Sequence, residues 1–163
     1  MQIATLFLVA IAGGVLAACS STPKVTNAFI DAMAKTQCPS NCSIAITVRE
    51  NADTTCTIDD VQPIETTGAN GLRTISWTIA ASSPYKFSDE SYKFGLFVKT
   101  DPQGKFKSAK VKGGGKLLEL EFDHKKNEGE PKLIYDYALT VQRSNSTATN
   151  NSFCITKDPW LIS

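Results

Sequence analysis

Apolar and polar residues alternate along most of the chain after Cys42, and this alternation constrains the fold more than any other feature. It is clearest from Arg73 to Ile79, where every second residue is apolar: Ile75, Trp77 and Ile79. The longest run, from Lys132 to Gln142, places five apolar residues on one side: Leu133, Tyr135, Tyr137, Leu139 and Val141. A period of two residues is typical of β-strands that bury one face. The sequence therefore predicts an all-β fold, an antiparallel β-sandwich of seven to nine strands.

One short N-terminal helix is predicted ahead of the strands. Asn27 can cap a helix from about Ala28 to Lys35, and Pro39 prevents its continuation. Three apolar residues fall at helical spacing in it: Phe29, Ile30 and Met33. We interpret this helix as a lid on one edge of the sandwich.

The first 18 residues are almost wholly apolar or small, and they end in Leu-Ala-Ala directly before Cys19. A segment of this kind is typical of a secretory signal peptide, and it is shorter than a comfortable membrane span. The tetrapeptide at residues 16–19 resembles the lipobox of bacterial lipoproteins. That resemblance implies that the leader is removed before Cys19 and that Cys19 is acylated, which would anchor the protein in a lipid bilayer. Ser20, following the cysteine, implies by the same resemblance an outer-membrane location facing the periplasm.

This processing divides the chain into three parts. Residues 1–18 form the signal peptide, residues 19–26 a polar tether, and residues 27–163 a single β-sandwich domain. Removing 18 of the 163 residues leaves 145, which is enough for one domain with a core and too few for two.

Five cysteines are present, and a lipid on Cys19 leaves four that can pair: Cys38, Cys42, Cys56 and Cys154. If residues 50–53 form a tight turn, Cys56 lies opposite Ile46, about 13 Å along the strand from Cys42. That distance disfavours a bond between Cys42 and Cys56. We favour Cys38 with Cys42 and Cys56 with Cys154; the alternative is Cys38 with Cys56 and Cys42 with Cys154.

A run of lysines lies between residues 93 and 116, with seven Lys against one Asp. A hairpin around Pro102 would place Val98 opposite Phe106, and a β-bulge near Ser108 to Lys110 would reconcile the inward faces of the strands that follow. In that register Val111 pairs with Leu118 and Phe106 with Phe122. The same register sets Lys110 beside Glu119 and Lys107 beside Glu121, so much of the run neutralises itself. Four lysines remain as candidates for a weak contact with an anionic surface: Lys99, Lys105, Lys112 and Lys116.

Two aromatic residues are further candidates for binding. Phe97 is the only large apolar residue on its strand face that the alternation does not bury. Trp160 belongs to an apolar C-terminal segment that we expect to pack against the end of the sandwich, or alternatively to bind a partner. With Lys105 and Lys112, these residues form the predicted binding set.

The sequence carries no recognisable catalytic or metal site, and we expect no cofactor. Basic and acidic residues number 17 and 16, which argues against nucleic-acid binding. His124, the only histidine, lies in a segment predicted to be a solvated loop, and the strand carboxylates Glu119, Glu121 and Asp136 alternate outward. We therefore predict a non-enzymatic interaction or binding module of the cell envelope with a protein partner: an inhibitor, an adaptor or a secretion-system accessory. The alternatives are a structural envelope lipoprotein without a ligand, and a hydrolase with an unrecognised site.

Overall fold

The computed structural model describes residues 27–52, 55–59, 61–89, 94–125, 132–144, 153–156 and 159–163. The expected signal peptide, Cys19 and the tether lie outside the described residues. Residues 126–131 and 145–152 also lie outside the described residues.

One short helix and thirteen strands make up the described part of the chain, so a mostly β protein with one short helix is confirmed. The helix α1 ends at Ala32, earlier than predicted. The elements are α1 Asn27–Ala32, β1 Thr36–Cys38, β2 Cys42–Ile46, β3 Val48–Glu50, β4 Cys56–Ile58, β5 Ile64–Thr66, β6 Gly71–Ile79, β7 Tyr85–Phe87, β8 Leu96–Val98, β9 Phe106–Lys112, β10 Leu117–His124, β11 Ile134–Arg143, β12 Phe153–Ile155 and β13 Trp160–Ile162, with a 3-10 turn at Gly113–Gly115. Many strands are only three residues long, which is why they outnumber the seven to nine expected.

Strand β11 is the centre of the larger sheet, which we call sheet A. Along one of its edges β13 pairs with residues 134–136 and β12 with residues 140–142. Along the other edge β8 pairs with residues 137–139 and β7 with residues 141–143, and all four pairs are antiparallel. Strand β5 then pairs in parallel with β13, and β1 pairs in parallel with β5.

The second sheet, sheet B, has the order β2-β6-β10-β9. Strand β2 is parallel to β6, while β10 is antiparallel to both β6 and β9. Strands β3 and β4 form a separate antiparallel hairpin.

The parallel pairs correct the prediction of a strictly antiparallel sandwich. The chain passes from sheet A to sheet B from β1 to β2, from β5 to β6 and from β8 to β9, and the first two passages carry the parallel pairs. These two passages run side by side in the same direction. In sheet A, β1 therefore pairs in parallel with β5, and in sheet B, β2 pairs in parallel with β6. Alternation of apolar residues reveals which side of a strand is buried, and it carries no information on the direction of the neighbouring strand.

Sheets A and B pack face to face, and the core lies between their inner faces. Aromatic rings meet across this interface: the ring centroids of Trp77 and Tyr137 are 5.4 Å apart, and those of Phe122 and Tyr135 are also 5.4 Å apart. Eight residues expected to face inward are fully buried: Ile75, Trp77, Leu118, Phe122, Tyr135, Tyr137, Leu139 and Val141. The predicted inner faces of these strands are therefore confirmed.

Two expected hairpins are wrong, because in both cases the chain joins a more distant strand. Ile46 pairs with Ile79, not Cys56, since β2 adds to β6. Val98 pairs with Tyr137, not Phe106, since residues 99–105 lead from sheet A to sheet B.

The predicted register between β9 and β10 is confirmed at its two apolar pairs. Val111 lies opposite Leu118 and Phe106 opposite Phe122. The register shift falls where Ser108 pairs with Glu121, which leaves Lys107 as the extra residue of the bulge. The bulge therefore lies nearer the start of β9 than expected.

Both cysteine pairs of the favoured pairing are formed. Cys38 bonds to Cys42, with Cα atoms 5.6 Å apart, across the passage from β1 to β2. Cys56 bonds to Cys154, with Cα atoms 5.4 Å apart, and this bond fastens the β3–β4 hairpin to β12.

Candidate functional site

The side of sheet A that points away from sheet B, which we call the outer face, carries the candidate site. Residues directly opposite each other in an antiparallel pair lie on the same face. Strand β11 places Asp136, Ala138 and Thr140 on the outer face, and the residues opposite them are Trp160, Phe97 and Ile155 respectively. Apolar side chains from three different strands therefore share this face.

Two of these apolar side chains, those of Phe97 and Ile155, are largely exposed. Phe97 is 60% exposed and Ile155 is 64% exposed. Phe29 of α1 is 54% exposed, and its ring centroid lies 6.4 Å from that of Trp160, which is itself half-buried. A cluster of exposed apolar side chains on one face is typical of an interaction surface.

The spacing of the cluster follows from the sheet geometry. Phe97 and Ile155 lie on opposite sides of β11, two strand spacings apart and displaced by two residues along the sheet. That separates their Cα atoms by about 12 Å, and the same estimate applies to Phe97 and Trp160. Ala138, with its small side chain, lies between them. The cluster is wide enough for an extended segment or a helix of another protein.

Helix α1 covers the end of the outer face that is formed by β13 and the start of β11. Ile30 of the helix and Ile162 of β13 are both fully buried, and both lie apart from the core between the sheets. Lys132, just before β11, donates its backbone N–H to the side chain of Asn27 at 3.2 Å. The expected lid is therefore a cover on part of this face.

A charged network holds the helix in place. The buried carboxylate of Glu65 accepts hydrogen bonds from Gln37 at 2.5 Å and from Lys132 at 2.6 Å, and it lies 3.3 Å from the ammonium of Lys35. Lys132 also pairs with Asp31 of the helix. Burial opposes ionisation of Glu65, but the hydrogen bonds, led by that from Lys132, outweigh it and hold the pKa of Glu65 below its usual value.

An open groove of about 610 Å³ lies beside Trp160 on the same face. It is lined by Thr100, Asp101, Pro102, Ile134, Asp136 and Trp160. Asp136 and Trp160 are directly opposite each other, and the hydroxyl of Thr100 accepts the backbone N–H of Asp136 at 2.9 Å. The groove thus combines an aromatic ring with two carboxylates.

The lysines of the predicted binding set do not join this face. Lys105 is only 4% exposed, and burial lowers the pKa of its ammonium. Lys112 pairs with Glu119 on sheet B. Lys116 donates to the backbone carbonyl of Ser83 at 2.6 Å. Protein groups therefore engage much of the lysine run.

The observed register between β9 and β10 also tests the two predicted pairs of Lys110 with Glu119 and Lys107 with Glu121. Lys110 lies opposite Glu119, as predicted, but Glu121 lies opposite Ser108 and accepts a hydrogen bond from its hydroxyl at 2.7 Å. The expected placement of Lys107 beside Glu121 is therefore wrong.

His124 is not in a solvated loop, which corrects the sequence prediction. It ends β10 and is only 3% exposed. Its Nδ1 atom lies 2.9 Å from the hydroxyl of Thr66 and 3.1 Å from that of Ser163. Burial, followed by the nearby charge of Arg73, lowers the pKa of His124. The burial could have been found from the sequence, since residue 124 continues the alternation of Leu118, Leu120 and Phe122.

The buried histidine predicts a loss of stability in mild acid. Its pKa in the folded state lies below the unfolded value of about 6.5, so the unfolded chain binds more protons between these two values. Stability is therefore retained above pH 6.5 and lost as the pH falls towards the folded-state pKa. Between pH 7.5 and 5.5, urea unfolding should show a loss of up to about 1.4 kcal/mol that the His124→Gln variant lacks. Equal pH dependence in the two proteins would contradict this.

No helix among the described residues reaches the length and hydropathy of a membrane span. Within the same residues, no three His, Cys, Asp or Glu side chains cluster as metal ligands. No protein-family model matches the chain, and comparisons with curated proteins and with solved structures found no significant match.

Proposed function

We propose that the mature protein is a lipid-anchored binding module of the bacterial cell envelope, and that it contacts another envelope protein through the outer face of sheet A. The observation that carries this proposal is the cluster of exposed apolar side chains on that face. Phe97, Ile155 and Phe29 are each more than half exposed, and Trp160 lies among them. Such a cluster fits a protein partner better than it fits solvent.

The contrast between the two outer faces supports the choice of surface. On the outer face of sheet B, Glu119 pairs with Lys112 and Glu121 accepts a hydrogen bond from Ser108. Of the four exposed large apolar residues in the described part, only Leu72 lies on that side. The polar face of sheet B suits water, so sheet A is the better candidate for contact.

The proposed anchor would hold this face close to the membrane. Cys19, acylated as the lipobox resemblance implies, precedes Asn27 by eight residues, which span at most about 29 Å when fully extended. Helix α1 begins at Asn27 and covers one end of the outer face. An outer-membrane lipoprotein with this geometry would present the face to partners near the inner surface of that membrane. The two disulfides suit such an oxidising compartment.

Site-specific photo-crosslinking in cells tests this proposal. A benzophenone amino acid placed at position 97 or 155 should crosslink to the same envelope protein. The same probe at position 72 is the matched control, because Leu72 is 67% exposed but lies on the outer face of sheet B. Crosslinks at position 72 equal to those at positions 97 and 155 would overturn the proposed surface.

The anchor is tested in the same cells. Mass spectrometry of the wild-type protein from the membrane fraction should find a chain that begins at an acylated Cys19, and Cys19→Ser should remove the lipid. An unmodified Cys19 in the mature wild-type protein would overturn the anchor. Absence of any crosslink at position 97 in the lipidated protein would instead favour the structural lipoprotein without a ligand.

A further inference from the structure

The groove beside Trp160 has a chemistry that the rest of the outer face lacks. Asp101 and Asp136 contribute two carboxylates, Trp160 contributes part of its indole ring, and Pro102 and Ile134 supply apolar walls. The apolar cluster of Phe97 and Ile155 can only bury apolar groups. The groove can therefore discriminate among proteins whose apolar residues would all fit the cluster of Phe97 and Ile155.

Both carboxylates have acceptor positions that the described residues leave unused. Asp101 accepts two backbone N–H groups, from Lys105 at 2.7 Å and from Phe106 at 3.1 Å, which fix the carboxylate in place. Asp136 receives only a long hydrogen bond of 3.5 Å from the hydroxyl of Thr100. Neither belongs to an ion pair with any cation of the described residues. An ionised carboxylate has about four acceptor positions, so each of the two can accept further hydrogen bonds.

A cation fits this arrangement better than any other charged group. The face of a tryptophan ring attracts a cation, most favourably when a planar guanidinium stacks on it. A guanidinium also forms paired hydrogen bonds with a carboxylate, which an ammonium cannot reproduce. Asp136 lies directly opposite Trp160, so one guanidinium can use both groups together.

We propose that the partner inserts an arginine side chain into this groove, between the ring of Trp160 and the carboxylate of Asp136. This proposal rests on the proposed function, because it names the chemistry of the partner at the same face. The apolar residues that flank the arginine in the partner would then cover Phe97 and Ile155.

Two other occupants fit less well. A second copy of this chain in a symmetric dimer would bring its own Asp101 and Asp136 to the same interface, which places like charges together. An anionic lipid surface would be repelled by the same carboxylates. A sugar could stack on Trp160 without a charge, so the experiment includes one.

The two tryptophans of the chain provide the test and its internal control, since Trp77 is fully buried and Trp160 lines the groove. The lipidated protein, labelled with nitrogen-15 at tryptophan and held in detergent micelles, is titrated with N-acetyl-arginine methylamide. The indole signal of Trp160 should shift while that of Trp77 stays in place. Asp136→Asn should weaken this binding about 10-fold at low salt, because a charge-assisted hydrogen bond is lost. Glu121→Gln, an equal charge loss on sheet B, should leave it unchanged.

The arginine site would be overturned if the indole signal of Trp160 did not shift with the arginine probe, or if it shifted with N-acetylglucosamine and not with that probe. It would also be overturned if the arginine probe bound Asp136→Asn and the wild-type protein with equal affinity. The photo-crosslinking at position 97 separates this failure from failure of the proposed function. Crosslinks that persist without arginine binding would leave the outer face as the contact surface and reject only the arginine. Arginine binding without crosslinks would reject the protein partner.

Discussion

Replacing Trp77 by alanine is expected to lower the free energy of unfolding by about 3–5 kcal/mol, as found when large buried aromatic residues are truncated. Trp77 is fully buried in the middle of β6, between Leu118 on one neighbouring strand and Ile44 on the other. Its ring also meets that of Tyr137, so it joins sheet B to sheet A. Truncation would leave a cavity at the centre of the core, and urea unfolding followed by circular dichroism would measure the loss.

The same strand offers a matched control. Leu72 also lies on β6 but is 67% exposed, so Leu72→Ala should change stability by no more than about 0.5 kcal/mol. Trp77→Phe retains an aromatic ring and should fall between the two. Similar losses for Trp77→Ala and Leu72→Ala would show that the core does not lie where the two sheets meet.

Removing the bond between Cys56 and Cys154 should also have a large effect, a loss of about 4–5 kcal/mol on the chain-entropy relation. The two cysteines are 98 residues apart, so the bond restricts a very long loop of the unfolded chain. In the folded state it attaches the β3–β4 hairpin, which pairs with neither sheet, to β12 of sheet A. The double variant Cys56→Ala with Cys154→Ala, unfolded in urea beside the oxidised wild type, measures this.

The second disulfide is the control for loop length. Cys38 and Cys42 are only four residues apart, and the same relation gives about 2 kcal/mol for their bond. The double variant Cys38→Ala with Cys42→Ala should therefore be the more stable of the two. Equal losses, or a reversed order, would contradict an effect that depends on the length of the closed loop.

Strand faces could be predicted from the sequence because burial of one face imposes a period of two, whatever the neighbouring strand. Ile75 and Trp77 on β6, and Tyr135 and Tyr137 on β11, are fully buried as predicted. Strand partners could not be predicted in this way. Val98 meets Tyr137, nearly forty residues away, although a plausible turn sequence follows it at residues 101–104.

The candidate site was predictable only in part. Phe97 was expected to point outward, and its 60% exposure confirms this. Ile155 was missed, although a disulfide that turns Cys154 inward also turns Ile155 outward. The groove could not be predicted, because residues 100–102, 134–136 and 160 come together only through the pairing of β8 and β13 with β11.

Buried polar residues caused two further errors. Lys105 and His124 were placed in solvent because of their polarity, and both are buried. Long or ring-shaped polar side chains can be enclosed when their polar atoms find partners, as the Nδ1 atom of His124 does with Thr66. Residue polarity alone does not identify this situation.

The position of β13 has a consequence for the timing of folding. This strand lies between β5 and β11, so it joins the first strands of sheet A to the rest. A chain made from its N-terminus can assemble all of sheet B once residue 124 has emerged, but sheet A stays divided until residues 160–162 arrive. Sheet B can therefore serve as the template on which sheet A is completed when β13 pairs with β5 and β11.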